Sequence, residues 1–316
     1  VPQIDRTHIL VLNYNGRRWL AECLPSVLDA ARVAPLPCRV TVIDNASTDD
    51  SLAYLAEHWP DVEVAREPNR GLASFNAVLA RCDEPVVLLL NNDIKLDHDA
   101  VGPLIAAMET RDDALFAAPQ CWTFDGATYE GMRTRVRTRY GLVQGLSRVP
   151  GFEREVDRPG GTASAGPVLA VHRERFLALG GYDPVYFPGR IEDLDLGFRG
   201  WMRGWRGYYV PQSRSWHHGF GSFGPEHGPA GCDRLAARNT LLFSWKNLAG
   251  PRLWGHLGWL PPRLAHAAIR GRVAFLTGFA GALPRLPEVM ASRRRQGVGG
   301  ARWIARQEEF FSQYGW

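Results

Sequence analysis

Four short apolar runs punctuate the first third of the chain, and each leads through a polar turn into a different pattern. HILVL (8–12) is followed by the turn NYNG and then by RRWLAECLPSVLDAA (17–31), where Trp19, Leu20, Leu24, Val27 and Leu28 recur at helical spacing. VTVID (40–44) precedes NASTDDS, a stretch rich in helix-capping side chains that opens the helix SLAYLAEHW. VEVAR (62–66) is a third strand, and the turn EPNRG leads to a helix at about 72–81. VVLLL (86–90) is the fourth strand, and it stops on Asn91, Asn92 and Asp93. Strands alternating with helices predict βαβ units and a mostly parallel sheet. Polar residues follow every strand: Asn13, Asp44, Asn69 close by, and Asn91 to Asp93. In an open α/β sheet those ends share one edge, where ligands bind.

Beyond residue 100 the pattern is less regular. GMRTRVRTR (131–139) places Arg133, Arg135, Arg137 and Arg139 at period two, so one strand face would carry all four. Two readings stand: an edge strand protected by charge, or a basic wall beside an anionic acceptor or membrane. PVLAVH (167–172) predicts a strand, and RERFLALGGYD a short helix ending at Gly180 or Gly181. From Arg252 the character changes. Residues 252–295 hold eight arginines against one acid, Glu288, together with Trp254, Trp259, Phe275 and Phe279. That mixture suits an interfacial amphipathic helix pair, or equally a helical subdomain packed on the sheet with its arginines in water. The division predicted is a sheet domain over 1–250 and a basic amphipathic helical segment over 251–316.

Composition narrows the classes. A chain of 316 residues can bury a substantial core. A formal charge of +4 is too mild to imply nucleic acid. The five cysteines, Cys23, Cys38, Cys82, Cys121 and Cys232, have no metal-ligand or redox spacing and read as free thiols of a reducing cytosol. No signal peptide is expected from the first residues, and no apolar run reaches the roughly 18 residues of a membrane span. The expected location is cytoplasmic, with peripheral attachment to the inner face of a membrane as the extension.

Single residues suggest chemistry without fixing it. Asp93 at a strand end could ligate Mg²⁺, which favours carboxylates and phosphate oxygens. Asp44 and Asn45 could meet a base or ribose. GRIEDLDLGFR (189–199) sets Glu192, Asp193 and Asp195 at a helix start, where acids also serve the helix dipole. WHH (216–218) adds two imidazoles that could bind metal or simply pack.

Taken in order, these segments resemble the inverting family two of nucleotide-sugar glycosyltransferases, which have the GT-A fold, and in particular its rhamnosyltransferase-like branch. The likeness runs through LVLNYNG, VIDNASTDDS, PNRGLASFN, VVLLLNNDIKLD, GPVLAVHRERFLALGGYDPVYF, EDLDLGFR and SWHHG, over about residues 8–248. It implies a nucleotide diphosphate sugar donor, a hydroxyl acceptor and a divalent cation, Mg²⁺ or Mn²⁺. NND occupies the place of the DXD motif: Asp93 is the matching metal ligand, and Asn91 stands where the first acid would be. His217 is the implied second ligand, ahead of His218. Asn13, Asn15, Asp44 and Asn45 are implied to contact base and ribose, Asn92 joins the donor site, Gly71 allows close backbone approach, and Arg70 faces a phosphate. Asp193 matches the general base, Glu192 positions sugar hydroxyls, and Asp195 steadies the local structure.

Inversion is a single displacement at the anomeric carbon, so a base must take the acceptor proton, while the leaving diphosphate needs a cation or fixed dipoles. The expected donor is dTDP-rhamnose or a UDP-sugar. The expected acceptor is a cell-envelope or lipid-linked glycan or a small hydroxyl compound, with an anionic membrane surface as a further partner. Two alternatives remain at this stage: a nucleotide-sugar-binding protein without turnover, and a sugar nucleotidyltransferase, for which NYNGRR is a poor version of the expected glycine-rich loop.

Overall fold

The computed structural model describes residues 4–219 and 223–316. The chain opens with β1 (Thr7–Asn13), α1 (Arg17–Arg32), β2 (Cys38–Asp44), α2 (Ser51–His58) and β3 (Glu63–Arg66), then α3 (Ser74–Leu79) and β4 (Val86–Asn91). These four strands run parallel in the order β3-β2-β1-β4, as their apolar runs predict. Asn13 lies opposite Asp44, and Leu12 opposite Asn91, so the polar residues after three strands reach one edge together. The helix expected over 72–81 is shorter. A 3-10 turn at Gly71–Ala73 precedes it, and the amides of Arg81 and Cys82 bond three residues back, which tightens its end.

Strand alternation explains why β1 and β4 read as continuous apolar runs. Ile9, Val11, Leu88 and Leu90 face Leu20, Leu24 and Val27 of α1, whereas Leu10, Leu12, Val87 and Leu89 pack with Phe75 and Leu79 of α3 on the other side.

The sheet then continues with a change of direction. β5 (Ile94–Leu96), α4 (Val101–Glu109), β6 (Ala114–Thr123) and β7 (Tyr129–Gly131) precede a separate hairpin of β8 (Arg135–Arg139) and β9 (Leu142–Leu146). Next come β10 (Gly160–Gly161), β11 (Val168–His172), α5 (Arg173–Ala178), α6 (Glu192–Arg203) and β12 (Arg206–His217). Beyond β4 the order is β11-β6-β12-β10, with β11 antiparallel to β4 and to β6. The four-arginine ladder is divided. Met132 adopts φ 83° and residues 132–134 lie outside any strand. Arg133 donates to the carbonyls of Glu155 and Arg158, Arg135 pairs with Glu155 at 2.7 Å, and Arg137 lies over the Trp316 ring. Internal partners, and not one solvated face, account for these three.

The C-terminal helices are α7 (Phe223–Asn247), α8 (Gly250–Ile269), α9 (Val273–Ala282), α10 (Leu286–Gln296) and α11 (Gly300–Gln313). They share a core with α6: Phe198 and Trp201 pack with Leu241, Leu242, Phe243, Phe310 and Phe311. Phe198 meets Phe310 edge to face, with ring centroids 5.0 Å apart. Outside this core Trp254 stays 70% exposed, Ile269 84% and Val273 64%. Among the described residues, no helix is long and apolar enough to cross a membrane.

One polar cluster is sealed between α6 and α7. Asp195 is fully buried and accepts hydrogen bonds from Tyr186 Oη, Arg199 Nε, Lys246 Nζ and Asn247 Nδ2 at 2.6–2.9 Å. Lys246, also fully buried, reaches Asp183 at 2.6 Å. Burial opposes ionisation of Asp195, yet Arg199 and Lys246 hold its carboxyl well below the usual range. Removing one partner of a buried ion pair leaves an uncompensated charge. Lys246→Met is therefore expected to lower unfolding stability by about 3–5 kcal/mol, read as a shift of the urea midpoint. An unchanged midpoint would show that the cluster contributes nothing net.

Candidate active site

The loop after β1 is locked against the loop after β2. Asn15, at φ 46°, accepts from the amide of Thr48 at 2.7 Å and from that of Asp49 at 3.3 Å, and its own amide donates to Ser47 Oγ. Asn13 Nδ2 also donates to Ser47 Oγ, and Asn13 Oδ1 accepts from Asn92 Nδ2 at 2.8 Å. Gly16 is required here, because a Cβ would overlap the Asn92 amide. Asn13, Asn15 and Asn92 thus brace one another and the turn at 47–49.

Asp44 is 3% exposed and accepts from the Ser47 amide through Oδ2. Its Oδ1 is buried with no hydrogen-bond partner among the described residues. A buried acceptor left unmatched is costly, so this oxygen marks a point where a ligand donor fits. Asn45 uses its side chain internally: Oδ1 accepts from Ser74 Oγ at 2.5 Å, and Nδ2 donates to Asn69 Oδ1 at 3.1 Å. It fixes the 69–74 loop. Gly71, at φ 59°, approaches the Pro188 carbonyl so closely that a Cβ would stand 2.8 Å from it. The close approach expected at this glycine is made to the segment preceding α6. Arg70 is exposed, and its side chain forms no ion pair among the described residues.

At the end of β4, Asn91 is half-buried, and its amide donates to the Pro167 carbonyl. Asp93 is 4% exposed, with Oδ2 3.4 Å from His217 Nε2. His217 arrives at the end of β12, opposite Ile94 of β5. Its Nδ1 lies 2.6 Å from Glu130 Oε2 on β7, a residue the sequence did not single out. Burial lowers the His217 pKa, but hydrogen bonds that its ring donates to the Asp93 and Glu130 carboxylates more than reverse this and raise it to about 9. A carboxylate and an imidazole nitrogen converging this way, with the far nitrogen held by a second carboxylate, fit the donor set of a divalent cation. His218 differs: its ring packs against Trp19 and Phe124, at 4.1 and 5.2 Å between centroids.

The three acids at the start of α6 stand in unlike surroundings. Asp195 is enclosed as described. Glu192 is buried, and desolvation together with the adjacent Asp193 carboxylate pushes its carboxyl up to about 8. Asp193 alone of the three is partly exposed; it accepts from Ser164 Oγ and from the Leu194 amide, both at 2.8 Å. Ser164 lies three residues before Pro167, whose carbonyl receives the Asn91 amide, so Asp193 belongs to the same sheet edge as Asp93. The approach to these acids is strained. Arg190 and Ile191 adopt φ 86° and 75°, a region costly for a β-branched side chain. Buried Asn239 of α7 holds the turn by donating to the carbonyls of Tyr186, Gly189 and Arg190 at 2.6–3.0 Å. Neither Asn239 nor Glu130 carries a local sequence signal, since each acts through a partner at least 49 residues away.

Comparison with known proteins gives this edge a context. A sequence model of glycosyl transferase family 2 matches residues 8–177. The chain is 29% identical over 234 residues to the N-acetylglucosaminyl-diphospho-decaprenol L-rhamnosyltransferase of Mycobacterium tuberculosis, covering 66% of this chain and 74% of that one. It is 25% identical over 232 residues to N-acetylgalactosaminyltransferase 6 of Drosophila melanogaster, covering 69% of this chain and 34% of that one. In fold it is similar to GalNAc-T7 crystallised with UDP, GalNAc and Mn²⁺, at TM-score 0.62 and 19% identity, over all of this chain and 59% of that one. It is also similar to the mannosyltransferase PcManGT of Pyrobaculum calidifontis in complex with GDP-Man and Mn²⁺, at TM-score 0.52 and 17% identity, over 98% of this chain and 88% of that one.

Proposed function

The chain belongs to glycosyl transferase family 2, and on that footing we propose that it moves a sugar from a nucleotide diphosphate sugar to a hydroxyl acceptor with inversion. The observation that supports this reading is that one sheet edge brings together Asp44 with its unpartnered Oδ1, the Asp93 carboxylate beside the His217 imidazole, and the partly exposed carboxylate of Asp193. The alternating sheet and flanking helices are the GT-A architecture expected from the sequence.

The roles follow from the surroundings. Asp44 Oδ1 accepts a hydrogen bond from the base or ribose, and the braced loop of Asn13, Asn15 and Asn92 shapes the floor beneath it. Arg70, exposed and without an ion pair among the described residues, would face a phosphate. Asp93 and His217 hold Mg²⁺ or Mn²⁺, with Glu130 keeping the proton on His217 Nδ1. When bound, that cation supplies positive charge for the departing diphosphate. Asn91 adds no charge, so the imidazole is the more important second ligand. Asp193 takes the proton from the acceptor hydroxyl; Ser164 and the Leu194 amide aim its carboxylate. Glu192, neutral near pH 7, donates a hydrogen bond to a sugar hydroxyl.

The donor class is dTDP-rhamnose or a UDP-sugar, and the acceptor a lipid-linked or cell-envelope glycan; the Mycobacterium tuberculosis relative is named for a polyprenyl diphosphate sugar. The exposed Trp254, Trp259, Ile269 and Val273, among the arginines of α8 to α10, support attachment to an anionic membrane surface.

Three measurements test this reading. Asp193→Asn is expected to cut turnover by about 10²–10⁴-fold with donor affinity unchanged, whereas Asp195→Asn should act through stability; near-normal turnover in Asp193→Asn would remove the base assignment. For Glu192, the acid form is present below about pH 8 and lost above it. Turnover that needs the acid form should fall as pH rises through 8, and the fall should be absent in Glu192→Gln. The same alkaline limb in both enzymes would sink this role. Finally, flotation with vesicles at low salt should recover more protein on anionic than on neutral lipid, and equal recovery would count against the membrane surface.

A further inference from the structure

Away from the sheet edge, a cleft of about 400 Å³ opens between the end of α5, the carboxyl end of α6, and the turn joining α10 to α11. Its walls carry Arg199, Arg203, Arg302 and Arg306, together with Gln296 and Trp303, and no acidic side chain. Along α6 its near wall at Arg199 lies roughly 10 Å and its far wall at Arg203 roughly 16 Å from Glu192, at 1.5 Å of rise per residue, and none of its lining residues belongs to the candidate active site.

The four guanidinium groups are not equivalent. Arg199 is fully engaged, by Asp195 and by the carbonyls of Leu179 and Gly181. Arg306 gives Nη1 to the Met202 carbonyl at 2.9 Å. Arg203 and Arg302 are exposed and form no ion pair among the described residues. Helix-end electrostatics account for only one of them: Arg203 lies in the last turn of α6, where a cation suits the helix dipole. The carbonyls of Gly200 and Trp201 in α6 are taken by the amides of Trp205 and Gly204 and that of Met202 by Arg306, while those of Arg293 and Arg294 in α10 are taken by Val298 and Gly297. Arg302 also lies in the first turn of α11, which has no acid; a cation there opposes the helix dipole. Apart from Arg199, which Asp195 neutralises, the lining arginines concentrate positive charge that no ion pair among the described residues offsets. Gly297, Gly299 and Gly300, at φ 65°, 132° and 75°, leave the turn beside it without side chains that would fill the opening.

We propose that this cleft binds a phosphate-bearing anion, held by Arg203 and Arg302 with the remaining donors of Arg306. Guanidinium forks match phosphate oxygens in pairs. The same chemistry is offered by free phosphate compounds and by an anionic lipid headgroup.

The test uses the full chain and two double variants with the same loss of charge: Arg203→Gln with Arg302→Gln in the cleft, and Arg148→Gln with Arg154→Gln at exposed positions between β9 and β10, outside it. All four side chains are exposed, so the fold is expected to persist, and circular dichroism checks this. Binding of inorganic phosphate is measured by calorimetry in EDTA, and binding to phosphatidylglycerol vesicles by sedimentation. Loss of two charge-assisted contacts should weaken binding about tenfold or more in the cleft variant, and much less in the variant at 148 and 154. If inorganic phosphate shows this difference and vesicles do not, the ligand is a free phosphate compound. If vesicle binding shows it and inorganic phosphate competes, the ligand is a headgroup. Equal losses in the two variants with both probes, or no binding of either probe to the wild type, would overturn the proposal.

Discussion

The buried carboxylate of Asp195 is the constraint on which the rest of the site depends. It joins α6 to α7 through Lys246 and Asn247, and to the preceding turn through Tyr186. Dry surroundings make each of these contacts strong, and they make any one of them costly to lose. The consequence is positional. With the middle of the first α6 turn fixed, the two residues before Asp195 have little freedom, and Asn239 restrains the chain from the other side. A C-terminal helix therefore governs the placement of acids that belong to the sheet edge.

Environment separates three neighbouring carboxylates that sequence alone presents as equals. Glu192 is pushed toward its neutral form by burial and by a like charge, Asp195 is held ionised by two cations, and Asp193 keeps access to solvent. Assigning different tasks to similar groups by their surroundings is how acid and base chemistry coexist near neutral pH.

Much of the sheet was legible in the chain because buried parallel strands show as uninterrupted apolar runs, and because polar turns part each run from the helical spacing that follows. What could not be read depends on distant partners. Glu130 sits on a three-residue strand whose importance comes from pairing with β6, itself beside β12. Lys246 meets Asp195 across 51 positions. The arginine ladder looked continuous, yet the left-handed Met132 interrupts it, a feature with no compositional sign. The C-terminal arginines looked like one basic surface, yet Arg293 is turned inward onto the carbonyls that end α7.

The turn ahead of α6 has a further meaning for anyone altering this protein. Two successive non-glycine residues, Arg190 and Ile191, hold a backbone shape that glycine adopts at no steric cost. Glycine at 191 would relieve that local tension, but it would also give the turn many more shapes to visit. In a laboratory evolution campaign that rewards heat resistance alone, these positions are where hardiness and precision pull apart. Variants that relax the turn would survive such a selection while losing the fixed aim of the carboxylate two residues on.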